Sequence, residues 1–371
     1  MTSRSRRTTV TLQADAPQRT IDPDKLMSFV FRAVDEVGAT LNTALVVMGD
    51  KLGYYRTMAD GEPITPASLA ERTATAEPYA REWLSAQAAG GYVEYDPSTR
   101  RYTLPAEHAA ALADPTSPAY LPGFFQLAAG TVRDAPEILT AATDGDGLGW
   151  HAHNGDVHHG CERFFRTMYN GHLLNEWLPA LSGVVEKLTA GARVADVGCG
   201  HGASTILMAQ AFPNSTFVGS DYHAASIAVA RARAEEAGVA DRVTFEVASA
   251  TEFTGQGFDL VAMFDCLHDM GDPVGAARYV RQALADDGTW MVVEPKAGDR
   301  VEDNLNPVGR TYYGFSTLLC TPASLSQDVG LALGTQAGPA RIRDVATAGG
   351  FDGSFRTAAA TPFNNVFEIR P

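Results

Sequence analysis

Ala195-Asp196-Val197-Gly198-Cys199-Gly200-His201-Gly202 closes the apolar run ARVADVG and leads directly into Ala203-Ser204-Thr205. An apolar run that breaks on glycines and opens an Ala-rich helical pattern reads as a buried strand turning into a helix. Glycines at that turn let backbone amides approach a ligand closely. A bare G-x-G-x-G match is weak, because a plain tight turn produces it too. The flanking sequence strengthens the reading: STFVGSD, RVTFEVA, FDLVAMF and TWMVVEP follow, each separated from the next by a helical pattern. This alternation predicts an α/β fold with a doubly wound, Rossmann-like parallel sheet across residues 186–371.

Two acids sharpen the ligand. Asp196 at the strand end is expected to point into the crevice that the glycines line. There it would repel the pyrophosphate of a dinucleotide and attract the sulfonium and ammonium of S-adenosylmethionine. Asp221 ends the next strand, about twenty residues on, where an acid takes both ribose hydroxyls. It supports an adenosine ligand without choosing between cofactors.

DVGCGHG, SDYH and FDLVAMFDCLHDM resemble the class I S-adenosylmethionine-dependent methyltransferases. The resemblance implies that Gly198, Cys199, Gly200 and Gly202 hold the amino-acid half of the cofactor and Asp221 its ribose. It places Tyr222 near the adenine, and Asp265 and Cys266 under the methionine portion. Where many relatives carry an acid for the adenine amino group, this chain has Ser249 and Ala250. The front end plus the pair His268-Asp269 is similar to small-molecule O-methyltransferases of plants and actinobacteria, whose N-terminal domains mostly dimerise. A histidine in that pair would remove a hydroxyl proton, a task that suits an imidazole titrating near neutrality.

N-terminal to this domain, residues 1–20 read as a flexible tail without the apolar run of a signal peptide. Residues 21–105 read as a long amphipathic helix, three short helices and a hairpin around Asp96-Pro97-Ser98, a winged helix. Thr65 and Thr75 are expected to cap two of the helices. Over this region twelve acids stand against eight bases, and the would-be recognition helix from about Thr75 to Ala89 offers Arg81 as its one base. Such a surface repels phosphates, so dimerisation is the expected use and nucleic acid is not an expected partner. A winged-helix regulator that senses a ligand without catalysis is the alternative. The whole chain carries 44 acidic and 29 basic residues, which points the same way. Four dispersed cysteines and the lack of an eighteen-residue apolar stretch suggest the cytoplasm and no membrane partner.

Residues 106–185 read as a helical connector interrupted by the Gly/Asp/His-rich stretch DGDGLGWHAHNGDVHHG. Its histidines, His151, His153, His158 and His159, match no metal-ligand spacing even with Glu162, so no metal is expected. Glu162 is a second candidate base, which would serve a carbon acceptor by taking a proton from the cation formed after transfer. Arg163 and Arg166, beside Phe164 and near Tyr169, share one helical face and would either clamp an anionic acceptor such as an isoprenoid diphosphate or form an interdomain salt bridge. Residues 296–339 form an insertion too long for a simple connection, expected to cover the substrate with Tyr312, Tyr313 and Phe315 as walls. The expected function is methyl transfer from S-adenosylmethionine to a hydroxyl or carbon of a small, aromatic or anionic molecule in specialised metabolism.

Overall fold

The computed structural model describes residues 20–371, so the expected tail lies, except for its last residue, outside the described region. The helix Pro23–Lys51 starts where Asp22 accepts hydrogen bonds from the amides of Asp24 and Lys25 and Pro23 fills the first turn. Its N-terminal half leaves Phe29, Phe31, Val34, Val37 and Leu41 each 58–67% exposed, an apolar face that none of the described residues covers. The short helices Tyr54–Thr57, Pro66–Thr73 and Glu77–Ala89 follow, then β1 (Glu94–Asp96) and β2 (Arg101–Thr103), paired antiparallel as the wing. Trp83 is their centre, meeting Tyr54 and Tyr55 edge-on at 4.9 and 5.0 Å.

Thr65 caps its helix through the amide of Ser68, whereas Thr75 instead receives the hydroxyl of Tyr54. The helix Ala106–Leu112 also belongs to this unit, because Ala109 and Leu112 pack in the same core as Trp83. The winged unit therefore runs past the expected boundary at residue 105. Arg81 on the Glu77–Ala89 helix is paired with Glu77 at 3.0 Å and Glu82 at 3.4 Å, so its charge is already neutralised.

The second unit is a seven-stranded sheet of β3 (Arg193–Val197), β4 (Thr216–Asp221), β5 (Val243–Val247), β6 (Phe258–Phe264), β7 (Leu284–Pro295), β8 (Phe355–Ala360) and β9 (Asn364–Ile369). The spatial order is β5-β4-β3-β6-β7-β9-β8, with β5 to β7 parallel and β9 antiparallel to both of its neighbours. Helices cover both faces, which is why Val194, Ala195 and Val197 of β3 are all buried. The chain leaves β3 through β4 and β5, then returns to β6 on the other side. That reversal opens a crevice beyond the carboxyl end of β3. Residues 296–339 fold over it as short helices, chiefly Pro307–Phe315 and Thr321–Leu325 joined by a π-helical turn at Ser316–Cys320. No helix among the described residues is long and apolar enough to cross a membrane.

Candidate active site

A cavity of about 660 Å³ occupies that crevice. Its floor is the turn after β3. Gly198 and Gly200 sit at φ +77° and +52°, and a Cβ on Gly200 would meet nothing within 4 Å, so the loop presents bare backbone to open space. Gly202 does not line the cavity. A Cβ there would come within 2.6 Å of the Phe245 ring, so this glycine lets the helix Ala203–Ala211 close onto the sheet.

Asp196 departs from expectation in the same way. It is 1% exposed beneath the loop, and its Oδ2 accepts from Ser204 Oγ and Thr205 Oγ1, both at 2.6 Å. Its carboxylate pins the helix to the strand and does not wall the crevice. Burial pushes this carboxyl up to about 6, with the two hydroxyl donors opposing the rise. The selection against phosphates that was expected of Asp196 falls to the cavity as a whole. Seven carboxylates line it, on Glu162, Asp221, Glu252, Asp265, Asp269, Asp272 and Asp328, and no Lys or Arg does.

Asp221 does face the cavity. Its oxygens accept from the amides of Gly200 at 2.9 Å and His223 at 2.8 Å, which fixes the carboxylate and leaves further lone pairs free. Burial raises its pKa. Tyr222, 43% exposed, stands beside it, and Ser249 and Ala250 line the same end. Cys199 and Cys266 line the floor, with the Cys266 thiol donating to the Val197 carbonyl at 3.3 Å. Asp265, at φ +50°, accepts from Asn364 Nδ2 at 2.7 Å, while its buried Oδ2 has no partner. Burial and then the nearby Glu294 hold this carboxyl well above the usual range.

His268, 3% exposed, also lines the cavity. Its Nδ1 lies 2.6 Å from Glu294 Oε2 and its Nε2 lies 3.1 Å from Asp269 Oδ1, the latter an ion contact without hydrogen-bond geometry. Burial opposes charge on the ring, but the two carboxylates outweigh it and hold the imidazole well above its ordinary value. Sequence reading missed Glu294; the signal was a lone acid closing the buried run MVVEP.

Glu162 lines the cavity as well, but its Oε1 is held by Arg233 at 2.7 Å and by Arg166 at 3.4 Å. Neither Arg166 nor Arg163 reaches the cavity. Arg163 donates to Asp50 at 2.8 Å, Gln126 at 2.8 Å and Tyr120 at 3.1 Å, joining the connector to the first helix. The interdomain bridge is the alternative the structure selects, and the anion clamp is removed. Phe164, stacked on Phe124 at 4.3 Å, and Tyr169 line the wall. So do Tyr312 and Phe315, whereas Tyr313 is off the wall. The connector histidines diverge: His153 bonds Asp134, His158 bonds the Trp150 carbonyl, and the expected loose loop is partly the helix Gly155–Met168.

Residues 188–324 match the family described as a methyltransferase domain, and residues 40–114 match the Rv2258c-like winged HTH domain. The chain is 35% identical over 144 residues to the 27-O-demethylrifamycin SV methyltransferase of Amycolatopsis mediterranei, covering 38% of this chain and 44% of that protein. It is 35% identical over 120 residues to a ubiquinone biosynthesis O-methyltransferase of Bordetella avium, covering 31% and 46%. Both alignments span less than half of the relative. The structure of the mitomycin 7-O-methyltransferase superposes with a TM-score of 0.66 at 18% identity, over 94% of this chain and 100% of that one. Human N-acetylserotonin methyltransferase, solved with S-adenosylmethionine, gives 0.66 at 14% identity over 96% and 99%. These superpositions establish a shared fold.

The buried Asp196 carboxyl generates a pH test. Its folded pKa of about 6 lies above the 3.8 of an exposed carboxyl, so its contribution to stability is greatest below pH 4 and is lost as pH rises through 6. Asp196→Asn, measured by denaturant unfolding at several pH values, is expected to flatten the stability profile across that window by roughly 3 kcal/mol relative to wild type. An unchanged slope would refute the buried placement.

Proposed function

We propose that this chain, a methyltransferase domain behind a winged HTH domain, transfers a methyl group from S-adenosylmethionine to a hydroxyl of a small, uncharged or cationic molecule. The observation that carries the reading is the cavity itself. It is lined by a bare glycine loop, by Asp221 and by His268, which Glu294 holds from behind, and by no Lys or Arg. When bound, S-adenosylmethionine supplies an electrophilic methyl group on a sulfonium. Gly198, Cys199 and Gly200 would pack against its amino-acid half and Asp221 would accept from its ribose hydroxyls. Tyr222, Ser249 and Ala250 would flank its base, with Asp265 and Cys266 beneath the methionine portion. The sulfonium leaves readily, so the residues chiefly align the acceptor and exclude water.

The acceptor lies between Phe124, Phe164, Trp150 and Phe315, walls that suit an aromatic or polycyclic body. Its proton leaves at the His268 end, where Glu294 fixes the ring. The carbon-acceptor reading loses support because Glu162 is engaged by two guanidinium groups, and the anionic isoprenoid loses the arginines that were to hold it. The regulator reading lacks a free basic residue on the Glu77–Ala89 helix. Rifamycin and mitomycin appear in the names of similar proteins, which supports an acceptor from specialised metabolism. The exposed apolar face at Phe29 to Leu41 supports a second copy of this chain as partner through the N-terminal helix.

Calorimetry is expected to show binding of S-adenosylhomocysteine and none of NAD. Asp221→Ala is expected to weaken it at least tenfold, from loss of charge-assisted bonds worth about 1.5–3 kcal/mol each. His268→Ala is expected to leave that affinity intact and lower turnover by about 10²- to 10⁴-fold with a hydroxyl acceptor. Full activity of that variant would remove the assignment. Light scattering of wild type is expected to give a dimer, and Phe31→Glu with Val34→Glu a monomer; a monomeric wild type would contradict the partner proposed.

A further inference from the structure

The helix Gly155–Met168 turns one acid toward the cavity, Glu162, and buries it until its side chain is 8% exposed. Its two oxygens differ. Oε1 accepts from Arg233 at 2.7 Å and lies 3.4 Å from Arg166 Nε. Oε2 receives no hydrogen bond from any described residue, yet neighbouring atoms do not seal it off as they do Asp265 Oδ2. A carboxylate more than nine-tenths buried, held through one oxygen and left without a donor on the other, is costly unless a ligand supplies that donor.

Two contacts put this carboxylate beside the glycine loop. His159, one turn before Glu162 on the same helix, sets its ring 6.0 Å from that of His201. Arg233 belongs to the helix Ala224–Glu236, which backs the loop so closely that a Cβ on Gly202 would lie 3.0 Å from Ala230. Glu162 therefore lies where the connector, the loop and that helix meet. His201 lines the cavity there; burial and then Arg233 push its pKa down to about 4, against the opposing pull of Glu162. At neutral pH the loop thus brings no positive charge to compete for the carboxylate.

We propose that Glu162 binds the α-ammonium group of S-adenosylmethionine through Oε2, with Arg233 and Arg166 as the positioning residues that aim it. This rests on the cofactor reading above and adds to it the receiver of one of the cofactor's charges. The amino-acid half carries a carboxylate and an ammonium. The bare amides of the glycine loop are donors, so they suit the carboxylate and cannot receive the ammonium, which is a donor itself. An acceptor has to come from another element, and Glu162 brings it from outside the sheet domain.

The neighbouring acids are less suited. Asp221 spends its oxygens on the amides of Gly200 and His223, at the ribose. Asp265 has one oxygen on Asn364 and the other sealed. An ion pair between Glu162 and the ammonium is charge-assisted, and its carboxylate is aimed before the ligand arrives, which lowers the cost of ordering it. The ammonium takes no part in the bond changes at the sulfonium. The contact is therefore the same before and during transfer, and it serves affinity and selectivity, not rate.

Calorimetry on the full chain tests this with three ligands: S-adenosylhomocysteine, its analogue without the α-amino group, and 5′-methylthioadenosine, which lacks the amino-acid half. Wild type is expected to prefer S-adenosylhomocysteine over the deaminated analogue by about 10- to 100-fold. Glu162→Gln is expected to weaken S-adenosylhomocysteine by that factor and to leave the other two affinities unchanged, so the preference disappears. If Glu162→Gln shows no cooperative unfolding transition, Glu162→Asp, one methylene shorter, is read in the same way and has to narrow the preference. A preference that survives in a folded variant overturns the assignment. Equal weakening of all three ligands overturns it too, because a merely structural role does that. Wild type that binds all three equally loses Glu162 as the receiver and keeps the cofactor reading, whereas wild type that binds none of them loses the cofactor reading itself.

Discussion

The carboxylate of Asp196, buried at the end of β3 and gripped by the hydroxyls of Ser204 and Thr205, is the constraint on which the site depends. It ties the first strand to the first helix of the sheet domain across only the few residues of the glycine loop. With both ends fixed, the loop has no freedom to collapse into the crevice. Asp221 then takes the Gly200 amide and sets the loop's height above β4. Every later feature, from the exposed ring of Tyr222 to the distance across the cavity, is measured from that anchored turn. A buried carboxylate is an expensive anchor, and its raised pKa records the cost.

The cavity is assembled by elements that the chain order keeps apart. The connector helix Gly155–Met168 supplies Cys161, Glu162, Phe164 and Phe165, the strand ends supply Asp221, Asp265 and His268, and the insertion supplies Tyr312, Phe315 and Cys320. Two ion pairs hold the connector in register. Arg163 reaches back to Asp50 of the first helix, and Glu162 reaches forward to Arg233 on the helix after β4. The stretch at residues 162–166, whose arginines looked like a substrate clamp, is therefore a joint between the winged unit and the sheet. Its charges are consumed internally, and this leaves the cavity acidic.

What was legible in the sequence was local. The strand–glycine–helix turn, the acid at the end of the next strand, the alternation of strands and helices and the wing all arise from neighbouring residues, and all were placed correctly to within a few positions. The residues misread were those whose side-chain partners lie outside local patterning, from eight residues on to more than a hundred. Asp196 looked ligand-facing because its two hydroxyl partners, eight and nine residues on, were not weighed. Arg163 pairs across 113 residues with Asp50, and Glu294 meets His268 across 26. No periodicity encodes such pairings. The helix Ala106–Leu112 was assigned to the connector for the same reason, since its packing on the Trp83 core is a tertiary fact.

The central claim is that the anchored loop and Asp221 mark the cofactor end while His268 marks the acceptor end of a single cavity. A crystal structure of the chain with S-adenosylhomocysteine tests it most directly. The account requires the ribose hydroxyls on Asp221, the base beside Tyr222, and the sulfur directed toward His268 with empty or acceptor-filled space between. A ligand seated elsewhere, or one whose sulfur points away from His268, would contradict it.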